Sequence, residues 1–134
     1  MSTIAPLTTG SAHRDEERSA LVRWSWAMVG AFVVLWFVVG LVTFASLGWF
    51  GLVEGDLVLM AHSWAAWLWF VASWAVVAAA PAAGIVLATM AMRRGARWRA
   101  RASLVTNGLV ALLVAYQVFD EIRMSYFPAW SWPF

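Results

Sequence analysis

Side chains able to bind a metal ion or pass a proton gather in the sequence at the ends of two apolar runs. The group comprises His62, Tyr116, Gln117, Asp120 and Glu121. An imidazole beside carboxylates can coordinate a metal or relay protons. The same residues are also ordinary water-facing groups at a helix end, and Asp120 can pair with Arg123 three positions further on. Both interpretations of this polar outer site stay open.

No cofactor and no catalytic set is predicted from the sequence. The chain has no cysteine, which excludes disulfides, thiolate zinc sites and iron–sulfur clusters. His62 is the only histidine near an apolar run, so bis-histidine haem ligation would need a second ligand from elsewhere. There is no glycine-rich phosphate loop and no arrangement of nucleophile, base and orienting group. We expect a protein that is not an enzyme, although an enzyme using the outer histidine and carboxylates is a third hypothesis.

Three tryptophans of the second apolar run, Trp64, Trp67 and Trp74, fall at helical spacing on one face. Such a face can stack on a quinone, a carotenoid or a lipid tail. Tryptophan also prefers the boundary between water and lipid, and aromatic faces often pack against protein. The spacing does not decide between a ligand and these structural roles.

Small residues recur every fourth position at Ala80, Gly84 and Ala88, and more weakly at Ala111 and Ala115. This spacing creates a flat surface on a helix that lets another helix approach closely. The surface serves either the packing of the protein's own helices or contact with a partner subunit.

Three polar residues lie close together at the start of the third run, namely Ser103, Thr106 and Asn107. They predict either hydrogen bonds between helices or a polar site.

The composition places these residues in a membrane protein. The chain of 134 residues is 63% hydrophobic and 12% charged, whereas a soluble domain is about 45–50% apolar and about 25% charged. Its apolar runs are long enough for helices that cross the roughly 30 Å hydrocarbon core of a bilayer. We therefore predict an all-α integral membrane protein with three transmembrane helices.

The chain divides into a polar N-terminus, a three-helix domain and a short tail. Residues 1–20 are predicted to be disordered and cytoplasmic, with the alternative that the charged stretch from Asp15 begins a helix that continues into the membrane. The tail, residues 125–134, is aromatic and broken by proline, as suits the membrane interface. The transmembrane domain covers residues 21–124, with spans at about 24–47, 62–92 and 102–121. Pro81 lies inside the second run, which predicts either a kinked helix or a re-entrant pair of short segments.

Arginine and tryptophan predict the same orientation. Five arginines fill the loop between the second and third runs, namely Arg93, Arg94, Arg97, Arg99 and Arg101. Arginine-rich loops stay in the cytoplasm, which places the N-terminus inside and the C-terminus outside. Most of the eleven tryptophans then form two belts at the membrane surfaces, and only Trp36 and Trp74 lie deep. The expected location is the cell inner (plasma) membrane.

The predicted membrane interior contains no Asp, Glu, Lys or Arg, whereas carriers coupled to protons or ions usually place such a group at mid-depth. The leading hypothesis is a small non-catalytic subunit that contributes to the assembly or stability of a larger membrane complex of the bioenergetic or transport type. The alternative is a homo-oligomeric carrier or channel with its pore between protomers. Expected partners are membrane lipids and other integral-membrane subunits or further copies of the chain, with no nucleic acid.

Overall fold

Three α-helices account for almost all of the part of the chain that the computed structural model describes, residues 9–46 and 64–126. They are α1 (Thr9–Ser46), α2 (Trp64–Arg93) and α3 (Arg97–Tyr126). Each contains a stretch long and apolar enough to cross a membrane, which confirms the predicted all-α class and the number of such helices. At 1.5 Å per residue, α1 is about 57 Å long and the other two are about 45 Å each.

Helix α1 begins at Thr9, earlier than the start at Asp15 that the sequence offered as an alternative to disorder. Residues 9–20 are helical, so the expectation of disorder over 1–20 is wrong for this stretch. Charged side chains one turn apart stabilise the exposed helix, since Arg18 pairs with Asp15 at 2.7 Å and His13 lies 3.2 Å from Glu17. Glu17 also accepts a hydrogen bond from Arg94 at 2.9 Å, which ties α1 to the start of the turn after α2.

Helix α2 runs without interruption through Pro81, so the re-entrant alternative is wrong. Proline has no N–H to donate to the carbonyl of Val77, and its ring crowds that turn. Both residues are almost completely buried between the other helices. Packing against the other two helices therefore stabilises α2 at the point where Pro81 removes a backbone hydrogen bond.

The connection between α2 and α3 is a three-residue turn and not the longer loop expected over residues 93–101. Gly95 adopts a left-handed φ of +94°, and its N–H donates to the Met92 carbonyl while the Ala96 N–H donates to Ala91. These two bonds form a Schellman motif that ends α2. The arginines on either side are compatible with helix, so both helices extend into the predicted loop.

The helices pack in an up-down-up order, with α2 against both neighbours. At the middle of the bundle, Phe32, Val77 and Val114 meet in one cluster. Nearer the α2–α3 turn, Val22, Ala91 and Ala100 meet in another.

We call the end that contains this turn and the start of α1 the arginine end. Large apolar side chains, including Phe37, Leu68 and Leu112, are more than 60% exposed around the outside of the bundle, as expected for helices surrounded by lipid.

Candidate functional site

The most buried polar groups lie where all three helices meet, between the two apolar clusters. Ser25 of α1 and Ser103 and Asn107 of α3 are fully buried. The Ser25 hydroxyl donates to the Gly84 carbonyl of α2 at 2.8 Å and also contacts the Ser103 hydroxyl. Because the single Ser25 proton is directed to Gly84, the Ser103 hydroxyl is the donor in the second bond. Ser25 thus connects its own helix to both of the others.

Asn107 completes this polar junction. Its Nδ2 donates to the backbone carbonyl of Ser25 at 3.2 Å and to that of Ser103 at 2.9 Å. Its Oδ1 is buried and has no hydrogen-bond partner among the described residues. The amide lies directly over Gly84, so that a Cβ on Gly84 would overlap Oδ1 and Cγ of Asn107. Only glycine allows this approach, and no room is left for a ligand between the two residues.

The polar junction is built for helix association and not for acid–base chemistry. It consists of hydroxyl, amide and backbone groups, none of which titrates near neutral pH. A serine nucleophile needs a general base within hydrogen-bond reach, whereas the hydroxyl of Ser25 donates to a carbonyl. Thr106, which the sequence grouped with Ser103 and Asn107, instead donates to the Ala102 carbonyl of its own helix at 3.0 Å.

The small-residue stripe of α2 lies inside the bundle. Ala80, Gly84 and Ala88 are buried, with Ala88 fully inaccessible, and Gly84 receives the side chain of Asn107. This stripe therefore packs against the protein's own helices. Of the weaker pair on α3, Ala111 is half-buried and Ala115 is exposed.

Two of the groups predicted for a polar outer site, Asp120 and Glu121, accept hydrogen bonds from side chains outside that set. Asp120 accepts two hydrogen bonds from Arg123, at 2.8 and 3.1 Å, and the pair lies along α3 as the spacing predicts. Glu121 points elsewhere and accepts a hydrogen bond from Trp74 Nε1 at 3.0 Å. Gln117 is half-buried, Tyr116 is exposed, and His62 lies outside the described residues. Within residues 9–46 and 64–126, no three histidine or acidic side chains form a group that could hold a metal.

Three aromatic residues of α2, Trp67, Phe70 and Trp74, form a ladder in which each ring meets the edge of the next. The centroids of Trp67 and Phe70 are 5.4 Å apart and those of Phe70 and Trp74 are 6.5 Å apart, with interplanar angles of 67° and 69°. Such edge-to-face contacts stabilise packing. Trp64, the third tryptophan predicted for this face, is 80% exposed and is not part of the ladder.

The outward side of α2 also carries a row of small residues, with the exposed side chains of Val71 and Val76 on its two flanks. Four exposed alanines follow one another at intervals of three or four residues, at Ala72, Ala75, Ala79 and Ala83. Bulky exposed residues, Leu68 and Val86, lie at the two ends of this alanine face. Small residues at helical spacing permit close helix packing, and on this side no described element covers them.

Two relationships were missed at the sequence level. Ser25 lies near the start of a long apolar run, and nothing in its neighbours indicates that it faces α2 and α3. Trp74 was expected at depth and Glu121 at the outer end, but the antiparallel packing of α2 and α3 brings them within hydrogen-bond distance. In both cases the partners lie more than 45 positions apart in the sequence.

Comparison with known proteins identifies no relative of this chain. No family model, no curated protein and no solved structure matches it.

Proposed function

We propose that this chain is a small non-catalytic membrane subunit that contributes to the assembly or stability of a larger integral-membrane complex of the bioenergetic or transport type. The alanine face of α2 is the observation that carries the proposal. It has the geometry of a helix-docking surface and lies on the outside of the bundle. The buried stripe on the opposite side of α2 is already occupied by Asn107, so a partner helix would use the outward face.

The internal polar groups support a structural role. The polar junction directs its donors to groups of the same chain. Thr89 likewise donates to the Ile85 carbonyl of its own helix. A transport pathway needs polar groups that face a cavity or a neighbouring protomer. The exposed side chains at the middle of the described helices are apolar, so a pore between protomers would lack a polar lining from these segments. This favours the subunit over the homo-oligomeric carrier or channel.

The N-terminus is inside, the C-terminus is outside and the host membrane is the cell inner membrane. The support is the arginine asymmetry: the start of α1 and the α2–α3 turn share one end of the bundle, which carries most of the arginines. Because the chain lacks cysteine, single cysteines at Ser2 and Ser131 can be labelled from either side of intact cells or vesicles. The topology predicts opposite accessibility of the two labels, and labelling on one face would refute it.

Gentle extraction of the tagged full-length chain followed by sizing tests the function. An integral-membrane protein should co-purify in fixed proportion, and the double variant Ala75→Leu with Ala79→Leu should lose it. Ala27→Leu, an exposed alanine on α1, is the matched control and should retain the complex. A lone monomer in every mild detergent would contradict the proposal, and a complex of identical chains that conducts ions or solutes in vesicles would support the alternative.

A further inference from the structure

The arginine end contains five guanidinium groups that make no hydrogen bond or ion pair with any residue the structure describes. Arg14, Arg18 and Arg94 are engaged by Gly10, Asp15 and Glu17 respectively. The remaining arginines are exposed, namely Arg23, Arg93, Arg97, Arg99 and Arg101. Most charge at this end therefore faces outward, and anions outside the protein are available to neutralise it.

Two of these arginines lie on the outward side of α3, next to an exposed tryptophan. Arg97 and Arg101 are four residues apart, which places their side chains one helical turn from each other. Trp98 lies three residues before Arg101 and is 81% exposed. Guanidinium groups bind phosphate oxygens through paired hydrogen bonds, and tryptophan favours the headgroup layer of a bilayer. The cluster has the chemistry of a phospholipid headgroup site.

The apolar part of the same face continues directly from this cluster. From Trp98 and Arg101, steps of three or four residues lead to Val105, Leu109 and Leu112, each more than 60% exposed. From Arg101 to Leu112 the helix rises about 16 Å. One leaflet of a hydrocarbon core about 30 Å thick measures about 15 Å. The stripe therefore has the length of the acyl chains of a single lipid.

We infer that this face of α3, headed by Arg97 and Arg101, binds an anionic diacyl phospholipid from the leaflet at the arginine end. The phosphate lies between the two guanidinium groups, the indole of Trp98 lies at the headgroup level, and an acyl chain follows Val105, Leu109 and Leu112. Zwitterionic lipids bind less well, because the arginines repel the cationic amine of their headgroups. The inference requires that the chain lie in a bilayer, but it does not depend on the identity of any partner subunit.

Native mass spectrometry of the purified full-length chain, with equal amounts of phosphatidylglycerol and phosphatidylcholine of identical acyl chains, tests this site. An arginine that pairs directly with the lipid phosphate is expected to contribute about fivefold to the binding, from the roughly 1 kcal/mol of a basic residue at an anionic membrane surface, whereas an arginine away from the bound lipid contributes less. The double variant Arg97→Gln with Arg101→Gln should therefore bind phosphatidylglycerol about 25-fold more weakly. The matched control, Arg93→Gln with Arg99→Gln, removes the same charge from the same end and should lose less than fivefold.

Several outcomes would overturn the inference. These are equal binding of the two lipids by the unmodified chain, equal losses in the two double variants, and displacement of the lipid by excess glycerol 3-phosphate or a short DNA duplex. If the glutamine variant does not fold, Arg97→Lys with Arg101→Lys replaces it. That variant keeps the charge but loses the paired hydrogen bonds of the guanidinium groups, so it should bind phosphatidylglycerol more weakly than Arg93→Lys with Arg99→Lys does. Equal binding by these two lysine variants would count against the site.

Discussion

The side-chain amide of Asn107 on α3 lies directly over the backbone of Gly84 on α2, where the addition of a single methyl group would create an overlap. Both residues are buried, and the hydroxyl of Ser25 bonds to the Gly84 carbonyl from the third helix. The close approach of three helices at one level thus depends on the absence of a side chain at position 84. This relationship leads to the first prediction.

Gly84→Ala should destabilise the bundle by about 1–3 kcal/mol, the usual range for inserting a methyl group into a packed interior. The free energy of unfolding in mixed micelles measures the effect. Gly30→Ala is the control, because a Cβ at Gly30 meets nothing within 4 Å, and it should be neutral or slightly stabilising. Adding Asn107→Ala should make Gly84→Ala less harmful. Equal effects at Gly84 and Gly30 would mean that the close packing is absent.

Asn107→Ala should lower the free energy of unfolding by about 0.6–1.7 kcal/mol, because interhelical hydrogen bonds in membranes contribute about 0.6 kcal/mol on average and at most about 1.7. The variant removes the donor to the Ser25 carbonyl and to Ser103. Thr106→Ala is a neighbouring control whose hydroxyl bonds only to its own helix. Urea titration of both variants should show a clear loss for Asn107 and almost none for Thr106, and the reverse order would disprove the assignment.

The sequence was sufficient to predict three membrane-length helices, because the apolar runs and the arginine-rich segment are local signals. It did not predict which face of each helix lies inside, because all sides of these helices are rich in apolar residues. The small residues of α2 illustrate the problem. Ala80 and Ala88 are buried while Ala75 and Ala79 are exposed, yet both sets have the spacing of a packing surface. The buried set is distinguished from the exposed set only by the positions of Ser25 and Asn107 on the other two helices.

Helix boundaries were predicted less well than helix number. A helix from Asp15 was only the alternative to disorder before residue 21. The helix is stabilised by i to i+3 and i to i+4 pairs at the start of α1, and by the contact between Glu17 and Arg94 that joins it to the turn. The loop over 93–101 was predicted from its charge, although arginine is a good helix former. The turn itself depends on Gly95, whose positive φ a sequence search for a C-terminal glycine could have indicated.

Gly95→Ala should destabilise the protein by about 1–2 kcal/mol, the cost of placing an L-residue in the left-handed region. Gly95 holds a φ of +94° in the Schellman motif that ends α2. Gly95→Asn should cost less, because asparagine tolerates this region better than alanine. Thermal unfolding followed by circular dichroism gives the order of stability, which should be Gly, then Asn, then Ala. An alanine variant as stable as the parent would exclude the left-handed turn.

Trp74→Phe should lower the free energy of unfolding by about 1–2 kcal/mol. It keeps an aromatic ring next to Phe70 but removes the N–H that donates to Glu121, and hydrogen bonds to charged groups contribute about 1.5–3 kcal/mol when well formed. Trp64→Phe is the control, because this indole is 80% exposed, and it should change the stability little.

Glu121→Gln keeps a side-chain oxygen that can accept the bond, so it should cost less than Trp74→Phe. The two substitutions should be non-additive when combined, since both act on one contact. Additive losses from Trp74→Phe and Glu121→Gln would show that the residues stabilise the bundle independently and that the indole does not bond to the carboxylate.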